Sequence, residues 1–234
     1  YWVSENMLND FSRGISLSKF ATPRTGIMTG DNNRFLRLWW EVFNKKINFV
    51  AIDSVAAIQS NAKWFPYNKG GEFRKWYGND DYVIDWENGG TVVFGNAKVE
   101  KRNAQDYPPE YKFQPAISWS LVTSGQPAFR AKRYNLSDIA GPSLYTDLAH
   151  FNSIIAFCNS VVALKMLNLM NPTINYQAGN IGQLPVVFDD CGLNSVNEIV
   201  DECIKLSRND WNSFEISWDF KRHPLLVYGY QNDY

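Results

Sequence analysis

The chain has 234 residues, 45% of them hydrophobic and 20% charged, with a net charge of −1. A chain of this length buries roughly 70% of the surface its unfolded form exposes, and the composition excludes an intrinsically disordered segment. Near-neutral charge excludes a global attraction to polyanions, so any nucleic-acid site must be a local patch. Cys158, Cys191 and Cys203 show no metal-ligand spacing, which favours a reducing, cytoplasmic compartment. The most apolar run, 153–170, is interrupted by Asn159 and Lys165 and predicts no membrane span. The chain opens at Tyr1 rather than Met, which suggests a piece of a longer polypeptide.

Residues 1–14 predict a short amphipathic helix closed by Gly14, with Met7, Leu8 and Phe11 on one side. Residues 33–43 predict a strand leaving the polar turn "TGDNNRF". The segment 83–95, "VIDWENGGTVVFG", predicts a hairpin around Asn-Gly. Further strands are expected over 116–123 and 128–133. From Tyr145 the pattern becomes helical, with Asp147 suited to the first turn and Pro172 ending the helix near 168–171. "QLPVV" reads as extended, 193–207 as a second amphipathic helix, and 208–220 as a third helix or a loop. The expected class is α+β, strands first and helices late, with a recognition domain over 1–190 and a helical tail over 191–234.

Catalytic signatures are missing from the sequence. His150 and His223 have no Cys or carboxylate neighbours at ligand spacing, and no nucleophile elbow or phosphate-cradling loop occurs. "NPTIN" (171–175) predicts a helix-ending turn. Three other stretches suit nucleic acid. In "KWFPYNKGGEFRKWYGND" (63–80), Lys63, Lys69, Arg74 and Lys75 surround Gly70 and Gly71, whose bare backbone can approach a phosphate. The rings there are expected to support the loop while the charges face phosphate. In "TGDNNRF" (29–35), Asn32, Asn33 and Arg34 carry the donor and acceptor patterns that read base edges. In "TSGQPAFRAKR" (123–133), Ser124 and Gln126 accompany Arg130, Lys132 and Arg133. The expectation is a single concave cationic face that holds a duplex. The alternative is a protein-interaction module, since aromatic and Arg-rich loops also suit protein partners.

The stretches "PRTGIMTGDNNRFLRLWWEV", "KWFPYNKGGEFRKWYGN", "QPAISWSLVTSGQPAFR", "IAGPSLY", "NPTINYQAGNIGQLPV" and "DWNSFEISWDFKRHPLL" carry a resemblance spanning about 20–225. The chain resembles the target-recognition region of PglX-type adenine-specific DNA methyltransferases of BREX phage-defence systems, akin to type IIG restriction–modification enzymes. The resemblance implies a twisted mixed β-sheet like that of type I specificity-subunit recognition domains, followed by helices. It implies double-stranded DNA as partner, and a methyltransferase domain N-terminal in the same polypeptide that uses S-adenosylmethionine. The segment itself would bind no cofactor or metal and catalyse nothing. Phe151, Ile155, Leu164 and Leu167 would be core residues.

Overall fold

The computed structural model describes residues 3–188 and 193–226. Helix α1 (Glu5–Arg13) starts where Ser4 Oγ accepts from the Met7 N–H and stops at Gly14. Strands β1 (Ile15–Ser16) and β2 (Ala21–Arg24) lead to a short helix α2 (Asn32–Phe35) and strand β3 (Leu36–Leu38). The strand expected over 33–43 is thus reduced to three residues. The cause is local: Asp31 Oδ1 accepts from the Arg34 N–H at 3.2 Å and nucleates a helical turn first.

Helix α3 (Ser54–Gln59) precedes strands β4 (Trp64–Asn68) and β5 (Tyr82–Asp85). The hairpin expected over 83–95 does not form. Asn88, Gly89 and Gly90 all have positive φ (52°, 72° and 79°), and the chain turns into helix α4 (Thr91–Val99). A Cβ on Gly90 would lie 2.5 Å from the Trp86 ring, so only glycine permits that turn against the buried indole. Val93 and Ala97, four residues apart, are buried, and this packing outweighs the β preference of "TVVF".

Strands β6 (Ala116–Ser118), β7 (Arg130–Lys132), β8 (Leu136–Ser137) and β9 (Ser143–Thr146) follow, then helices α5 (Leu148–Asn159), α6 (Val161–Met170) and α7 (Ala178–Gly182), strand β10 (Pro185–Val186) and helix α8 (Leu193–Trp211). The class is α+β, as expected. The strands form two four-stranded sheets, β2-β9-β6-β7 and β3-β5-β4-β8, plus the β1-β10 ribbon, rather than one sheet. All pairs are antiparallel except β4 with β8. One core lies between the first sheet and α5–α7 (Ile117, Trp119, Phe129, Leu144, Ile155, Leu167). The other lies on the second sheet (Phe65, Ile84, Trp86, Phe113, Leu136). Asn68 on β4 donates to Ser118 Oγ on β6 and joins the sheets across this boundary.

The long helix expected after Tyr145 is broken. Asp147 caps α5 as anticipated, but Ser160 caps a second helix by accepting from the Ala163 N–H at 3.1 Å, and the axes bend by 69°. Ile155, Leu164 and Leu167 are buried and Phe151 packs half-buried on the same core. Among the described residues no single helix is long and apolar enough to cross a membrane; α5 and α6 meet that test only as a bent pair. Helix α8 runs on through Trp211, absorbing the start of the segment read as a separate helix or loop. It packs on α5 through Val200, and Trp39 Nε1 donates to the Ile216 carbonyl at 2.8 Å. Cys191 and the start and end of the proposed tail lie outside the described residues.

Candidate nucleic-acid interface

Loop 69–81 connects β4 to β5 and is held from inside. Its backbone adopts positive φ at Gly70, Gly71, Trp76, Gly78 and Asn79. Its middle pairs with β7: the Trp76 N–H donates to Phe129 O at 2.8 Å, and the Ala131 N–H donates to Trp76 O at 2.9 Å. Arg130, with 0% of its surface exposed, donates to Arg74 O and to Ser120 Oγ, each at 3.2 Å. Ser120 Oγ in turn donates to Gly71 O at 2.7 Å. Lys132, 4% exposed, donates to Gly78 O at 2.7 Å and to Asn79 O at 3.2 Å, and forms an ion pair with Asp80. Lys75 Nζ donates to Asn159 O and Asn79 Nδ2 to Glu72 O, at 2.9 and 2.8 Å.

Burial lowers the Arg130 pKa to about 10, opposed by Asp80, so its guanidinium is charged at neutral pH. Burial also pushes the Lys132 ammonium down, again opposed by Asp80. Lys132 gives its donors to two loop carbonyls and Asp80, Arg130 reaches the loop through Arg74 O and Ser120, and burial keeps both from an incoming phosphate. The sequence reading that set them on a DNA-facing edge is corrected: they support the loop instead.

The remaining cations do not share one face. Lys69 lies 3.7 Å from Asp138, and Arg74 lies 2.9 Å from Asp210 with its guanidinium over the Trp211 ring. Asp138 is buried, whereas Asp210 is well exposed; an exposed pair is worth about 0–1 kcal/mol, so an incoming phosphate can replace the carboxylate at Arg74. The carboxylate partner of Lys132 is held far more strongly, since breaking a buried pair costs about 3–5 kcal/mol. Gly71, Ser124 and Gln126 are exposed, and Gly70 is buried. Gly70, Gly71 and Arg74 belong to loop 69–81, while Ser124 and Gln126 belong to the β6–β7 connection; Ser120 bonds these two segments together.

The other predicted residues lie elsewhere. Leu36 pairs with Ile84 and Leu38 with Tyr82, so α2 enters the sheet at the end opposite to loop 69–81. There Thr29 Oγ1 donates to Asn32 Oδ1 at 2.7 Å, leaving Asn33 exposed. Arg34 bonds Asn96 and Glu100, while Arg102 bonds Asp31 and Glu100. Lys63 pairs with Asp85 at 3.2 Å at this same end. Arg133 stacks on Tyr134 and lines a groove of about 560 Å³ that also holds Tyr77, Arg208 and Trp218. Asp201 and Asp219 offset the two arginines there, so the groove has no marked charge preference. In "NPTIN", Asn171 closes α6 and its amide donates to Asn175 O, the turn expected from sequence.

No protein-family model matches the chain. It is 37% identical, over 97% of its own length, to the adenine-specific methyltransferase PglX of Lacticaseibacillus casei (strain Zhang). It is 32% identical, again over 97% of its length, to the adenine-specific methyltransferase BrxX of Escherichia coli O9:H4 (strain HS). The chain is homologous to one segment of these PglX and BrxX methyltransferases. It spans 19% and 18% of their respective lengths.

Sequence reasoning missed the polar residues that shape the loop in this PglX-like segment. Ser120 carries no signal of its own in an ordinary loop, and Asn159 shows in the sequence only as a polar break in an apolar run. Asn159 is nevertheless buried and bonds both the N–H and the carbonyl of Phe129 at 3.0 Å. A buried amide interrupting an apolar helix is the one clue that was available in advance.

Proposed function

We propose that the chain is the part of an adenine-specific DNA methyltransferase that reads a sequence in double-stranded DNA. Methyl transfer from S-adenosylmethionine would then take place in a methyltransferase domain elsewhere in the same polypeptide. The natural setting is cytoplasmic phage defence of the BREX or restriction–modification kind. No catalytic residue is assigned to this segment.

The observation that carries the reading is the joined pair of loops, 69–81 and 119–129, in a chain homologous to adenine-specific methyltransferases. Together they offer Arg74 with a replaceable carboxylate, the partly exposed Lys69, an exposed Gly71 backbone and exposed hydrogen-bonding side chains (Ser124, Gln126) on a rigid base. Contacts that position on phosphate and contacts that read bases are thereby available side by side. Asn33, Arg34, Lys63 and Arg133 lie outside this contact set.

The test is titration of the chain with duplex DNA at several salt concentrations. Binding is expected to weaken with salt, and Lys69→Ala or Arg74→Ala should each reduce the log–log slope by about 0.9, one phosphate's share. Selection from random duplexes with Gln126→Ala should change the preferred sequence more than the total affinity. No retention of duplex DNA at low salt would overturn the reading. Salt-insensitive capture of a protein partner instead would favour an interaction module.

A further inference from the structure

Of the rings in the stretch 63–80, Trp64, Phe65, Tyr67, Trp76 and Tyr77 are buried or half-buried. Phe73 is the remaining one, and it is 57% exposed at the outer turn of loop 69–81. The backbone on either side of it is pinned: Gly71 O accepts from Ser120, Glu72 O from Asn79, and Arg74 O from Arg130. Loops held this firmly, with a bulky Trp76 at φ 71°, keep a backbone that few sequences adopt unaided, and such strain concentrates at functional sites. The neighbour of Phe73 is Glu72, whose carboxylate repels phosphate but can accept from a base amino group. The outer turn therefore matches the chemistry of bases, while Lys69 and Arg74 behind it match the backbone.

We propose that Phe73 stacks on a DNA base that has been drawn out of the duplex stack, presented by a finger whose shape Arg130, Lys132 and Ser120 set before DNA arrives. This rests on the DNA-reading role above and adds to it a contact residue and its supports. The expectation that rings support the loop while charges face outward is then inverted at this position: the buried cations are the supports, and the ring makes the contact. Because the finger is formed in advance, little ordering entropy is lost on binding.

The experiment measures duplex affinity of the chain against salt for Phe73→Ala, Phe73→Leu and Phe73→Trp. Phe73→Ala is expected to lose about tenfold or more in affinity, in the range of one base–aromatic stack, with an unchanged salt slope and an unchanged melting temperature. Phe73→Trp should retain affinity, and Phe73→Leu should fall with the alanine variant. Ser120→Ala should weaken binding several-fold, and its effect should shrink in the Phe73→Ala background, because both act through one contact. Unchanged affinity for Phe73→Ala, or a leucine variant as good as tryptophan, would overturn the stacking role while leaving DNA binding intact. Additive effects of Ser120→Ala and Phe73→Ala would remove the support role. A parent chain that retains no duplex DNA would overturn both readings together.

Discussion

The two ends of the β3-β5-β4-β8 sheet use the same side chains to opposite effect. At the end carrying loop 69–81, Arg130 and Lys132 turn inward and bind loop carbonyls with almost no solvent exposure. At the α2 end, Arg34 and Arg102 stay at the surface and share Glu100, with 51% and 43% of their side-chain surface exposed. Buried cations are costly to leave unpaired and so dictate the backbone around them. Exposed cations are interchangeable with solvent and ions, and dictate little.

The contrast is sharpest in stability. Lys132→Ala strands the Asp80 carboxylate and should cost about 3–5 kcal/mol, read by chemical denaturation. Arg34→Ala or Arg102→Ala should cost less than about 1 kcal/mol in the same assay. Equal costs at the two ends would break the distinction.

A smaller effect concerns pH. Burial, and then the neighbouring Asp80, raise the pKa of Asp81 at the finger's exit, with Lys132 and Arg74 opposing. A carboxyl raised in the folded state contributes stability below its ordinary pKa and loses that contribution as pH rises through the elevated value. Asp81→Asn should therefore raise the melting temperature at neutral pH and lose its advantage under acid. An advantage that grew under acid would contradict this account.

The smallest perturbation is chemical labelling. Burial pushes the Cys158 thiol up to about 12, while Cys203 is half-buried on α8. Native protein should label at Cys203 well before Cys158, as peptide mapping after brief alkylation would show.

Several features were legible in the sequence for plain reasons. Asp147 and Pro172 bracket a helical run because one caps and the other cannot continue it. Ile155, Leu164 and Leu167, which the resemblance implied as core residues, do enter the core. The α+β class followed from strand-like alternation giving way to helical spacing. The break at Ser160 was not legible, because serine is tolerated inside a helix and only packing against the sheet decides that it caps a new one. The hairpin at 83–95 failed for a similar reason: Asn-Gly permits a tight turn, but Trp86 against Gly90 selects a strand-to-helix turn instead.

By itself, the sequence determined which stretches differ from an ordinary core or loop: the Gly-Gly segment with its rings and cations, the capped polar turn, and the Ser-Gly-Gln connection. It also placed Arg130 and Lys132 on one face of β7, since side chains two apart on a strand point the same way. Which face that was, only the tertiary structure decided. Charge alone argues for water, but loop 69–81 crosses over that face and offers its carbonyls, so two buried cations become its scaffold. A residue's chemistry is local, whereas its surroundings come from segments fifty residues away.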